Sequence, residues 1–166
     1  TETERGYSLG AVDYIVKPFE EEQLFESVRN ALSSVEETKS HRVVVAEDDP
    51  DVLALLEQSL SLHGYEVWTA SDGQEALARV RECHPDLVLL DTNMPGMDGY
   101  EVIRQLKRDE ATSSIPIVVT TSSRVDKVRD GVSVLGMDVS QYVTQPFPIE
   151  VLIRAIKQAI VGKSLE

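Results

Sequence analysis

Residues 85–99 read Pro-Asp-Leu-Val-Leu-Leu-Asp-Thr-Asn-Met-Pro-Gly-Met-Asp-Gly. The apolar run Leu87–Leu90 is short. Pro85 precedes it and a Pro/Gly-rich turn follows, so it suits a strand buried on both faces, as in a parallel sheet. Asp91 ends the run. A carboxylate where such a strand gives way to a loop lies at the carboxyl edge of the sheet, where open α/β folds bind their ligands. Burial there needs compensation from a metal, a hydrogen bond or a proton. Asp91 is therefore the leading functional candidate among the acids of the chain.

Outward from this stretch, apolar runs alternate with helical patterns. Strands are predicted at 42–46 (Val43, Val44, Val45), 65–69, 86–91, 115–121 and 141–144. Helices are predicted at 50–63, 72–83, 98–108, 124–135 and 148–161. The first helix carries Val52, Leu55, Leu56, Ser59 and Leu60 on one stripe and stops at Gly64. Asp72 and Asp98 read as helix caps. So does Asp49, beside Pro50, in preference to a metal ligand. Pro148 stands at or near the first position of the last helix. Five βα units in succession predict an α/β fold, a doubly wound five-stranded parallel sheet with helices on both faces.

The chain has 166 residues and a formal net charge of −13. That balance disfavours nucleic acid and anionic membrane as direct partners and suits a basic protein or a cation. No apolar stretch approaches the ~20 residues of a membrane span. The single cysteine, Cys83, excludes an intrachain disulfide. With no signal peptide visible, a cytoplasmic location is expected. The start, Thr-Glu-Thr-Glu without Met, suggests a piece of a longer protein.

A weak internal repeat sets Tyr14-Ile-Val-Lys-Pro-Phe19 against Tyr142-Val-Thr-Gln-Pro-Phe147. Residues 1–40 thus look like the last strand (11–16) and helix (20–39) of a second copy, and residues 41–166 like a complete domain. A lone strand and amphipathic helix leave a bare edge and an apolar face. They are expected to pack on another chain and make a homodimer.

Three predicted strand ends carry polar residues: Glu47-Asp48-Asp49, Asp91, and Thr120-Thr121-Ser122-Ser123. A parallel sheet brings these ends to one edge. Converging carboxylates stay ionised only around a cation, and oxygen ligands favour a hard ion such as Mg²⁺. An aspartate beside Mg²⁺ can attack phosphorus to form an acyl phosphate, with a hydroxyl donor on a phosphoryl oxygen.

With these residues in place, 42–161 resembles the receiver domain of two-component response regulators, a flavodoxin-like (βα)5 fold. Four stretches carry the resemblance: Val43-Val-Val-Ala-Glu47-Asp48-Asp49-Pro50, Asp91-Thr-Asn-Met-Pro-Gly-Met-Asp-Gly99, Pro116-Ile-Val-Val-Thr-Thr121-Ser122 and Tyr142-Val-Thr-Gln-Pro-Phe147. They stand in the family's order and spacing. Residues 1–40 resemble the end of another receiver, with Lys17-Pro18-Phe19 intact. The resemblance implies that Asp91 is the phosphoacceptor, Asp48 the direct Mg²⁺ ligand and Glu47 a ligand through water. Asn93 would give its backbone carbonyl to the metal. Thr121 would be the switch hydroxyl and Tyr142 the aromatic whose rotamer reports the switch. Asn93 and Ser123 stand where the family tunes dephosphorylation by water. The implied partner is a sensor histidine kinase or a histidine phosphotransfer protein, and the whole a tandem-receiver or hybrid-kinase protein.

The chain departs from the family at one place. Gln145 stands where the family has a lysine before Pro-Phe. A glutamine donates a hydrogen bond but brings no charge. Weaker coupling or slower phosphorylation is expected, and an alternative is a receiver-shaped interaction domain that takes no phosphate. In one version of the dimer, Lys17 of another copy replaces the missing charge. A third reading is a Mg²⁺-dependent phosphatase of haloacid dehalogenase type. It wants an aspartate two residues after the nucleophile, where Asn93 stands.

Overall fold

The structure is a computed structural model and describes residues 40–122 and 139–163. The strand and helix expected within 1–40, the helix expected at 124–135, Lys17 and Ser123 lie outside the described residues. Among the described residues, nine elements run in order: β1 (Arg42–Ala46), α1 (Pro50–Leu62), β2 (Glu66–Ala70), α2 (Gly73–Cys83), β3 (Leu87–Asp91), α3 (Gly99–Arg108), β4 (Ile117–Thr121), β5 (Gln141–Thr144) and α4 (Ile149–Lys163).

The strands form one parallel sheet in the order β2-β1-β3-β4-β5. Val44 lies opposite Val88, Leu90 opposite Val119, and Asp91 opposite Thr120. The central strands are buried throughout, which is why they read as continuous apolar runs. Alternation sends their side chains to two cores. Val44, Val88, Leu90, Ile117 and Val119 pack with Ala76, Leu77 and Val80 of α2 and Val102, Ile103 and Leu106 of α3. Val43, Val45, Leu87, Leu89 and Val118 pack with Leu56 and Leu60 of α1 and Leu152, Ile153 and Ile156 of α4. Helices thus cover both faces, and the doubly wound architecture expected from the sequence is the one observed.

The helix starts follow the local chemistry. Asp49 Oδ1 accepts from the Asp51 and Val52 amides, with Pro50 opening α1. Asp72 accepts from the Glu75 amide and Asp98 from the Glu101 amide, each at 2.8 Å. After α1 the chain turns at Gly64, whose φ of +86° is the left-handed conformation that glycine adopts without cost.

Four details differ from the sequence reading. Leu55 is 63 % exposed rather than part of the buried stripe, because α1 turns Leu56 and Leu60 onto the sheet. Strand β2 begins at Glu66, not Tyr65, because the Tyr65 amide closes α1 by bonding the Leu60 carbonyl. Strand β4 begins at Ile117 rather than Ile115. The Ile115 amide is taken by Thr112, and Pro116 has no amide to give the ladder. The last helix starts at Ile149, with Pro148 just before it, and runs on to Lys163.

Candidate functional site

In the order β2-β1-β3-β4-β5 the connections change direction between β1 and β3, so the crevice of the sheet opens at their carboxyl ends. Glu47 and Asp48 follow β1 there, and Asp91 ends β3. The topology brings together acids more than forty positions apart in the chain. One carboxylate oxygen from each of Glu47, Asp48 and Asp91 lies within 4.8 Å of the other two.

Glu47 and Asp91 are buried, while Asp48 is exposed at the mouth. Glu47 Oε1 accepts from the Asp49 amide at 3.2 Å. Its other oxygen, Oε2, is buried with no hydrogen-bond partner. Burial is the main reason the Glu47 carboxyl is pushed up to about 7, and the charges of Asp91 and Asp48 add to it. The Asp91 carboxyl is raised too, by burial first and by Asp48, against the Asn93 amide, which donates to Oδ1 at 3.0 Å. A buried acceptor without a donor, in a cluster of oxygen ligands and mutually repelling carboxylates, fits a hard divalent cation. The residues present therefore suit Mg²⁺.

The other candidates lie on β4, on β5 and on the loops that follow β3 and β5. Asn93 is exposed on the loop after β3, and its Nδ2 donates to Ser122 Oγ at 2.9 Å. Thr121 is fully buried at the end of β4, and its carbonyl accepts from the Gln145 amide at 2.8 Å. This bond brings Gln145 alongside the end of β4, and the following Gln145–Pro146 peptide is cis. Tyr142 lies in register with Val119 and packs, half-buried, against the core between the sheet and helices α2 and α3. Asp49 caps α1 as expected. Ser122 ends the Pro116–Ser122 stretch and carries no role of its own in the sequence. Its bond to Asn93 has no sequence signature, because the partners sit on different loops.

A groove of about 470 Å³ adjoins Ser122 and Gln145, lined by Val52, Leu55, Leu56 and Phe147. A second cavity, of about 320 Å³, lies at the opposite edge of the sheet, between Lys107, Ser140 and Lys163, and contains none of the candidate residues. Among the described residues, no helix is long and apolar enough to cross a membrane.

Residues 43–157 match the response regulator receiver domain family. The chain is 41 % identical over 119 residues to the transcriptional regulatory protein PrrA of Mycobacterium leprae, covering 71 % of this chain and 49 % of PrrA. It is 33 % identical over 121 residues to protein PilH of Pseudomonas aeruginosa, covering 73 % of this chain and 98 % of PilH. The chain thus spans about half the length of PrrA and nearly all of PilH. Among solved structures it resembles the receiver domain of sensor histidine kinase PA1611 of P. aeruginosa, which has a magnesium ion coordinated in its active-site cleft. The TM-score is 0.66 at 26 % identity, over 73 % of this chain and 98 % of that one.

Proposed function

This chain belongs to the response regulator receiver domain family, and from that premise we propose that it takes a phosphoryl group onto Asp91 from a histidine kinase or a histidine phosphotransfer protein. The family is a signalling domain of two-component systems, and its members bind Mg²⁺ at an acidic site. The convergence of Glu47, Asp48 and Asp91 at the switch point of the sheet carries this reading. Asp48, Glu47, Asp91 and the Asn93 backbone carbonyl would hold the metal. Bound there, Mg²⁺ would balance the carboxylates and offset the charge of the transferring phosphoryl group.

The chain's own residues divide the remaining work. The Asn93 amide engages Asp91 Oδ1 and leaves the second carboxylate oxygen as the nucleophile. That oxygen forms a bond to phosphorus as the bond to the donor's histidine nitrogen breaks, and the electron pair returns to the imidazole. Thr121 donates its hydroxyl to a phosphoryl oxygen, and Tyr142, on the adjoining strand, reads out the movement. The apolar groove beside Ser122 and Gln145 offers the partner a contact surface. Residues 1–40, with Lys17-Pro18-Phe19, are the end of a preceding receiver in a tandem-receiver or hybrid-kinase protein, and they are the candidate dimer contact.

Gln145 favours a second reading, a receiver that binds partners without being phosphorylated. One experiment separates the two. The protein is incubated with Mg²⁺ and acetyl phosphate and assayed for an acid-stable, alkali-labile adduct. An adduct in the parent that is lost in Asp91→Asn supports the phosphoacceptor. No adduct in the parent favours the unphosphorylated domain, and sustained turnover of phosphate esters would point to a phosphatase instead.

A further inference from the structure

We infer that the cavity at the amino edge of β4 and β5 binds a small phosphorylated polyol. It lies at the edge of the sheet opposite Asp91 and does not depend on the phosphoacceptor reading. Its volume is about 320 Å³, at the lower end of the roughly 300–1,000 Å³ usual for small-molecule sites. Lys107, in the last turn of α3, and Lys163, in the last turn of α4, both line it. Helix α3 packs on one face of the sheet and α4 on the other, so the two cationic side chains come to the cavity from opposite faces. Among the described residues that line it, none is acidic, although the chain carries a net charge of −13.

The groups around the cavity set the class of ligand. Lys107 Nζ donates to the Ser113 carbonyl at 3.1 Å and to the Ile115 carbonyl at 3.3 Å, which fixes the ammonium at the wall. Those carbonyls and the negative end of the α3 dipole account for a lysine there. They do not account for the rest of the lining. The side chains of Ser114, Ser140, Gln141 and Gln158 make no hydrogen bond among the described residues. Hydroxyls and amides donate to phosphoryl oxygens and exchange hydrogen bonds with a polyol, while ammonium groups balance the phosphate charge. Without a carboxylate the cavity has no ligand for a metal ion of the hard, oxygen-seeking kind. It also has no aromatic side chain on which a nucleobase would stack. A phosphorylated polyol uses the charge and the neutral donors together. Bound there, it would join the ends of α3 and α4 to the start of β5.

The test titrates the isotope-labelled full chain with mannitol phosphate and follows the amides by NMR. EDTA is present, so that no metal bridges phosphate to the acidic cluster. Saturable shifts are expected at the amides of Ser114, Ser140 and Gln141, with a Kd on the order of 0.1–1 mM. Mannitol alone and inorganic phosphate alone are each expected to bind about tenfold more weakly, because each meets only part of the lining. Lys163 is exposed at a helix end, and Lys163→Gln is expected to weaken binding roughly three- to tenfold without loss of fold. Gly162 also lines the cavity and has open space where a β-carbon would stand. Gly162→Leu should therefore fill the site without moving the backbone and abolish the shifts. No saturable shift at those amides up to about 10 mM overturns the inference, as does an affinity unchanged in either variant. Inorganic phosphate binding as tightly as the ester also overturns it, leaving only a general anion contact. None of these outcomes bears on whether Asp91 accepts a phosphoryl group.

Discussion

Gly99 lies so close to Asp91 that a β-carbon built on it would stand 2.8 Å from the Asp91 carbonyl oxygen and 2.7 Å from the Thr92 α-carbon. Both neighbours are backbone, so neither can swing aside. The first residue of α3 therefore packs directly on the residue that carries the candidate acceptor. Gly99→Ala is expected to cost about 1–3 kcal/mol in urea unfolding, despite the better helix propensity of alanine, and to slow any modification of Asp91. Gly162, near the end of α4, has open space where its β-carbon would be. Gly162→Ala should leave stability unchanged or raise it by up to ~1 kcal/mol. Equal effects at the two sites would remove the case for close packing at Gly99.

Asp48 and Asp49 are neighbours with different work. Asp49 accepts two amides at the start of α1. Asp49→Ala should cost about 1 kcal/mol of stability and leave Mg²⁺ affinity close to that of the parent. Asp48→Ala should do the reverse, with little loss of stability and at least a tenfold weaker Mg²⁺ interaction by titration calorimetry.

Metal-free stability should depend on Glu47. Its carboxyl is raised from 4.5 to about 7, mainly by burial, so the folded protein binds this proton more tightly than the unfolded chain does. The stabilisation is complete below about pH 4.5 and is lost as pH rises through about 7. Asp91 is shifted in the same sense. The expected fall is on the order of 1–3 kcal/mol between pH 5 and pH 8 without metal. It should flatten in Glu47→Gln and be opposed by added Mg²⁺. Urea midpoints across that range measure it, and a rise in metal-free stability would contradict the assignment.

Gln145→Lys should restore a cationic group at the end of β5. An ammonium beside three carboxylates competes with a metal, so Mg²⁺ affinity without phosphate should fall. The same charge should favour the phosphorylated form. A charge-assisted bond is worth roughly 1.5–3 kcal/mol, so adduct formation should rise about tenfold or more. Parallel acetyl phosphate time courses on parent and variant would detect this.

Leu55 and Leu60 share the apolar pattern of α1 but not its burial. Leu60 is fully buried and Leu55 is 63 % exposed. Leu60→Ala should cost about 2–5 kcal/mol, and Leu55→Ala should stay within about 0.5 kcal/mol of the parent. Because Leu55 lines the groove beside Gln145, its loss should weaken partner-driven phosphorylation while leaving acetyl phosphate labelling intact.

Much of the fold was legible in the chain because its signals are local. Runs of β-branched and aliphatic residues require burial on both faces. Asp49, Asp72 and Asp98 each precede a helical pattern whose first amides need an acceptor, and all three cap helices. The acids at the ends of β1 and β3 could be picked out because parallel strands share one carboxyl edge. The starts of β2 and β4 were less legible. Tyr65 and Ile115 look like strand residues, yet their amides are taken by neighbouring turns.

What the sequence determined by itself, then, is the order of elements, the two-sided burial of the sheet and the residue types at its carboxyl edge. Periodicity, capping and turn chemistry act over a few residues. Only the tertiary structure decided that α1 turns Leu55 to solvent, that Glu47 Oε2 is buried without a donor, and that Asn93 reaches Ser122. Those facts depend on the rotation of a helix on the sheet and on how loops from different strands meet. Residues distant in the chain set both, and no short stretch of sequence encodes them.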